Sequence, residues 1–142
     1  MKANFWNVSI VCLVLVLVGA ACSTFTKGKA AGERAVEKFH AQLNDEKFEE
    51  IFNQSAAEFQ NSDKKEEIIK FLQAVRRKLG TVNKATSHGW HVNTTTTGTV
   101  ITMQYDTEFA NDKGTESFTF FMNGEDAQLA GYHVNAKKLI TE

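Results

Sequence analysis

Apolar and polar positions follow two rhythms along this chain, and the change comes near Gly80. Before it the spacing is helical. Ala35, Val36, Phe39 and Leu43 recur at the three-to-four-residue interval of one helix face and predict a helix over residues 30–43. Phe48, Ile51 and Phe52 predict a second, shorter one. The clearest stripe is Ile68, Leu72, Val75 and Leu79 in "SDKKEEIIKFLQAVRRKLG". There Asp63 and Glu66 have the spacing of a capping box, and Gly80 stands where a helix C-cap is expected.

After Gly80 the period becomes two. Ile101, Met103, Tyr105 and Phe109 share one side of "TVITMQYDTEF", and Phe118, Phe120 and Met122 share one side of "TESFTFFM". "QLAGYHVNA" reads as a last strand, and residues 81–95 as a first one with Trp90 and Val92 toward the core. Its Thr94–Thr97 run is β-prone and suits a strand edge or turn. Asn111-Asp112-Lys113-Gly114 and Asn123-Gly124-Glu125-Asp126 punctuate the later strands as hairpin turns. Three helices followed by about four antiparallel strands predict an α+β fold. N-terminal helices pack on one face of a curved antiparallel sheet, a cone or roll.

Ahead of this body, Met1-Lys2 gives a positive start, Val8–Val18 is dominated by apolar residues, and Gly19, Ala20 and Ala21 are small. That order is the one a secretory signal needs. The apolar run is shorter than the ~20 residues of a spanning helix, so a retained anchor is the lesser reading. The expected organisation is a signal peptide over 1–21, Cys22 and a short tether over 22–32, and one α+β domain over 33–142.

Val18-Gly19-Ala20-Ala21-Cys22 resembles a bacterial lipobox, in which an aliphatic residue and two small residues precede a cysteine. Gly19 departs from the Leu or Val usual in that family. The resemblance implies a lipoprotein, with diacylglycerol on the Cys22 sulfur, cleavage before it, and a palmitate-class chain on the new amine. Ser23, where Asp would retain the protein, implies the periplasmic face of the outer membrane in a Gram-negative host. Ordinary signal cleavage nearby, leaving a bare thiol, is the competing reading. The order of elements and the ending "LAGYHVNAKKLI" resemble the nuclear-transport-factor-2-like superfamily, the cystatin-like cone, over roughly residues 30–140. That resemblance implies a long helix lying across a curved sheet and enclosing a pocket.

Composition narrows the function classes. Charged residues make up 23% and hydrophobic ones 42%, and the net charge is −1 with signs mixed, so no basic nucleic-acid face is expected. Arg76-Arg77-Lys78 closes the third helix, where cations suit the helix dipole. Proline is absent, which excludes a Pro-rich stalk. The only cysteines, Cys12 and Cys22, precede the domain, which therefore has no disulfide and no thiolate metal site.

Catalytic signatures are missing: there is no Gly-rich phosphate loop, no His-Glu-x-x-His and no Gly-x-Ser-x-Gly. His88 and His91 are three apart, so in a regular strand they face opposite ways and share a metal only across a bulge or turn at Gly89. No metal or other cofactor is expected. Tyr105-Asp106 resembles the Tyr and Asp acid–base pairs of ketosteroid-isomerase-like proteins, but neighbours in a strand alternate sides. His133, in phase with Leu129, Gly131 and Asn135, is the best polar pocket candidate, and His40 beside Phe39 suits either the sheet side or solvent. Trp90, Tyr105, Phe120 and His133 are thus the candidate pocket residues. The expected function is non-catalytic: a lipid-anchored envelope protein that binds a small apolar ligand or another envelope protein. A small enzyme using His133 or Tyr105 for acid–base chemistry is the alternative. An inhibitor or interaction module with a solid core is another.

Overall fold

The computed structural model describes residues 26–140. The expected signal peptide, Cys12 and Cys22 lie outside the described residues. Helix α1 is described over 26–44, followed by α2 (Phe48–Gln54), α3 (Ala57–Gln60) and α4 (Lys65–Leu79). Four strands come next: β1 (Val82–Thr95), β2 (Gly98–Phe109), β3 (Lys113–Asn123) and β4 (Asp126–Ala136), and then the short α5 (Lys137–Ile140). The strands pair antiparallel in the order β1-β2-β3-β4, an open meander. Among the described residues no helix is long and apolar enough to cross a membrane.

The helices cover one face of the sheet, as the two rhythms require. Val36, Phe39 and Leu43 of α1 and Leu72, Val75 and Leu79 of α4 meet Ile101, Met103, Phe118 and Phe120 of the middle strands in one buried core. The opposite face carries the polar partners of the alternation, with Gln104, Asp106, His133 and Asn135 exposed. Trp90 and Val92 lie on the core side of β1, opposite Met103 and Ile101, and are half-buried.

Residues 26–32, which composition alone reads as tether, form the first turns of α1. Gly28 and Gly32 explain the difference. A Cβ at Gly28 would stand 3.1 Å from Val92 Cγ1, and one at Gly32 3.0 Å from Ile101 Cγ2 and 3.1 Å from Met103 Sδ. Glycine costs a helix about 1 kcal/mol relative to alanine. Here its bareness lets α1 lie close on β1 and β2, and packing holds a segment that propensity alone would leave open.

The start of α4 also differs from expectation. The helix begins at Lys65 with Lys64 as N-cap, one residue later than an Asp63–Glu66 capping box requires. The Asp63 carboxylate instead accepts the Lys64 N–H at 2.8 Å. Its end follows the sequence. Gly80 takes φ 83°, and its N–H bonds to Arg76 O at 3.0 Å. Asn111 N–H then satisfies Leu79 O at 2.9 Å, which ties the helix end to the β2–β3 turn.

Candidate functional site: a buried carboxylate between helix and sheet

Glu116 lies two residues before Phe118 on β3, so the strand period turns it toward the core, where it is 1% exposed. A carboxylate there is costly unless it is hydrogen-bonded. Glu116 has three partners, brought by three other elements. His40 of α1 places Nε2 2.8 Å from Oε2. The Thr107 hydroxyl of β2 donates to the same oxygen at 2.5 Å. The Tyr132 hydroxyl of β4 donates to Oε1 at 2.7 Å. Among the described residues no buried side-chain nitrogen or oxygen lacks a partner.

Aromatic rings wall this cluster. Phe39 meets Phe118 edge-on at 5.2 Å and Tyr132 at 4.6 Å, and His40 meets Phe118 edge-on at 5.6 Å. Phe71 of α4, itself exposed, stands 6.0 Å from the Tyr132 ring. Burial pushes the Tyr132 phenol well above its usual range. The Glu116 charge and the bond donated to it act in the same direction, since both disfavour a phenolate.

A bulge positions Tyr132. Phe120 pairs with Leu129 but Thr119 pairs with Gly131, so Ala130 is an extra residue on β4. Beyond it the alternation changes phase. Leu129 is followed on the inner side by Tyr132, Val134 and Ala136, and not by Gly131, His133 and Asn135. His133, expected to share the side of Leu129, is exposed on the far face opposite Ser117.

The other sequence candidates are not brought to one place with it. Tyr105 points inward at 7% exposure, with its phenol pushed up to about 12, by burial first and then by the charges of Glu33 and Glu37. Asp106 beside it faces outward and is exposed. Phe120 stacks on Phe118 at 5.9 Å, and the space it shares with Phe39, Ile51 and Leu129 is about 50 Å³. That is far below the roughly 300–1,000 Å³ of a pocket for a small apolar ligand. Trp90 sits at the margin with Lys29 Nζ 5.8 Å above its ring. One of two register shifts in β1 falls at His88, since Ser87 pairs with Tyr105 and Gly89 with Gln104. His88 Nδ1 is 3.3 Å from Asp106 Oδ1, and His91 is exposed. Among the described residues no three potential ligands gather around a metal site.

On the far face, Thr86, Asp106, Thr115 and Asn135 stand in one register row and border an open groove of about 490 Å³. The buried cluster has the residue types of acid–base chemistry, but its groups point at one another. Its evident work is to bind α1 to three strands at once.

The sequence carries a signal for this cluster in its apolar phase. Glu116 is in phase with Phe118 and Phe120, Thr107 lies between the inward Tyr105 and Phe109, and His40 follows Val36 by one helical turn. Each polar residue therefore occupied a core position of its own apolar pattern. Comparison with curated proteins finds no match. Residues 35–132, which begin within α1, end at Tyr132 and contain all four members of the cluster, match the family described as "Protein of unknown function (DUF4019)". As the match spans more than half of the chain, the chain belongs to that family.

Proposed function

We propose that this chain is a non-catalytic, lipid-anchored envelope protein whose α+β domain works through its surface, binding a protein partner. The filled interior supports the second half of this reading most. The rings of Phe39, Phe118, Phe120 and Tyr132 pack on one another, and about 50 Å³ remains beside them. A pocket for a small apolar ligand runs to roughly 300–1,000 Å³, and the spaces of that size among the described residues are surface grooves outside the core. Acid–base catalysis by Tyr105 or His133 has less support, because the first is packed in the core and the second faces away from it. Kinship with the cystatin-like cone is part of the proposal at the level of the fold. It rests on the long first helix and the antiparallel meander, and carries no activity with it.

The anchor rests on the sequence. Ala20-Ala21-Cys22 after an apolar run suits lipidation, and a multiply acylated cysteine binds a bilayer stably, at about 0.8 kcal/mol per buried CH₂. Ser23 suits the periplasmic face of the outer membrane in a Gram-negative host.

Intact-mass measurement under native conditions, on protein extracted from its membrane, tests both halves. The expected species begins at Cys22, carries acyl mass, and holds no small molecule in its folded domain. A mature chain that starts elsewhere without acyl mass overturns the anchor. A small molecule retained in stoichiometric amount overturns the surface-binding half.

A further inference from the structure

Three parts of the fold meet at one end of the molecule. The first turns of α1 lie against Val92, three residues before the β1–β2 turn at Thr95–Gly98. Arg34 Nη2 donates to Glu125 O, in the β3–β4 turn, at 3.5 Å. Lys27 and Arg34 of α1, Thr99 after the first turn, and Met122 and Glu125 around the second border one groove of about 370 Å³. The other end is set by the finish of α1. There Asn44 accepts the Val82 N–H at 2.7 Å and donates to Val82 O at 3.1 Å. At 1.5 Å per residue α1 separates the two ends by roughly 28 Å.

Only Ser23, Thr24 and Phe25 stand between Cys22 and Thr26. A chain reaches at most about 3.6 Å per residue, so Cys22 is within about 14 Å of the start of α1. That is half the length of the helix. A lipid on Cys22 therefore keeps the start of α1 and its two flanking turns within about 14 Å of the bilayer, and sets no such limit on the other end.

We propose that this end is seated on the phospholipid headgroup layer, with the turns at Thr95–Gly98 and Asn123–Asp126 against the headgroups. The inference rests on the lipid anchor proposed above. The chemistry of the end suits the occupant. The first turn has no charged side chain, and its hydroxyls pair with one another, Thr94 with Thr99 at 2.9 Å and Thr95 with Thr97 at 2.8 Å. Such groups exchange readily between each other and phosphate or ester oxygens. Lys27 and Arg34 add cations at the same end, matched in number by Glu125 and Asp126, so these groups oppose no headgroup by net charge. The far face of the sheet, with its row Thr86–Asp106–Thr115–Asn135, then stays open to a partner in the surrounding compartment.

Full-length acylated protein carrying one nitroxide label tests this. Labels are attached to Thr96→Cys, Asn123→Cys, Lys47→Cys or Lys113→Cys, with Cys12 removed in the leader and Cys22 blocked by its lipid. The protein is placed in vesicles of phosphatidylethanolamine and phosphatidylglycerol containing a nickel-chelating headgroup lipid. Relaxation of the label by the bound nickel is expected to be several-fold stronger at positions 96 and 123 than at 47 and 113. Equal or reversed relaxation on protein whose acyl mass is confirmed overturns the seating and leaves the anchor standing. Absence of acyl mass on Cys22 overturns both.

Discussion

Replacing Glu116 by alanine leaves His40, Thr107 and Tyr132 without their shared acceptor at a buried position. Removing one member of a buried hydrogen-bonded cluster of this kind costs about 3–5 kcal/mol, because its partners stay buried unpaired. Glu116→Ala is therefore expected to lower unfolding free energy by about that amount, read from urea midpoints at constant m. Glu116→Gln keeps the shape and one carbonyl oxygen, so its loss should be smaller, about 1–3 kcal/mol. A loss below about 1 kcal/mol for the alanine variant would mean that the cluster carries no weight in the fold. The cluster was legible only in part. Charged residues are mostly exposed, and that prior outweighs phase when a lone Glu or His falls on an apolar stripe. Glu116 is inside because three other elements supply it with partners, and no single segment records that convergence.

Elements were legible wherever their own residues decided them. The stripe of α4, the Gly80 cap and the alternations of β2 and β3 are local facts, and the structure has them where the sequence indicated. The bulge at Ala130 was not legible, because a bulge is a relation between two strands and nothing in "QLAGYHVNA" marks which residue is extra. The phase error it produced moved His133 outward and Tyr132 inward. The first turns of α1 were missed for a similar reason, since their stability comes from the sheet beneath. That dependence can be measured. Gly32→Leu gains helix propensity worth up to about 1 kcal/mol, yet its side chain has no space over Ile101 and Met103. Overpacking costs typically 1–3 kcal/mol, so the net effect is expected to be a lower melting temperature. A variant as stable as the parent would show that α1 does not pack on the sheet as closely as Gly32 allows.

At the scale of the whole molecule, the buried residues form one contiguous core, and its two tyrosines report on it. The chain contains only Tyr105 and Tyr132, and both are turned to the core side. Burial raises Tyr105 to about 12, with Glu33 and Glu37 adding to it. Burial and Glu116 hold Tyr132 well above the usual value of 10.0. In the unfolded chain both phenols ionise near that usual value. Above it the unfolded state binds fewer protons than the native one, so stability falls as pH rises. The contribution is fully present below pH 10 and is lost progressively through about pH 12. The phenolate absorbance of the native protein should therefore stay absent as pH passes 10.0. It should then appear in one step together with loss of near-ultraviolet circular dichroism. Urea midpoints should decline over the same interval, and Tyr105→Phe should flatten that decline by removing one of the two titrating phenols. Phenolate appearing near pH 10 while the dichroism remains native would place at least one tyrosine in water. The filled core, and with it the case for a domain that binds at its surface, would then fall.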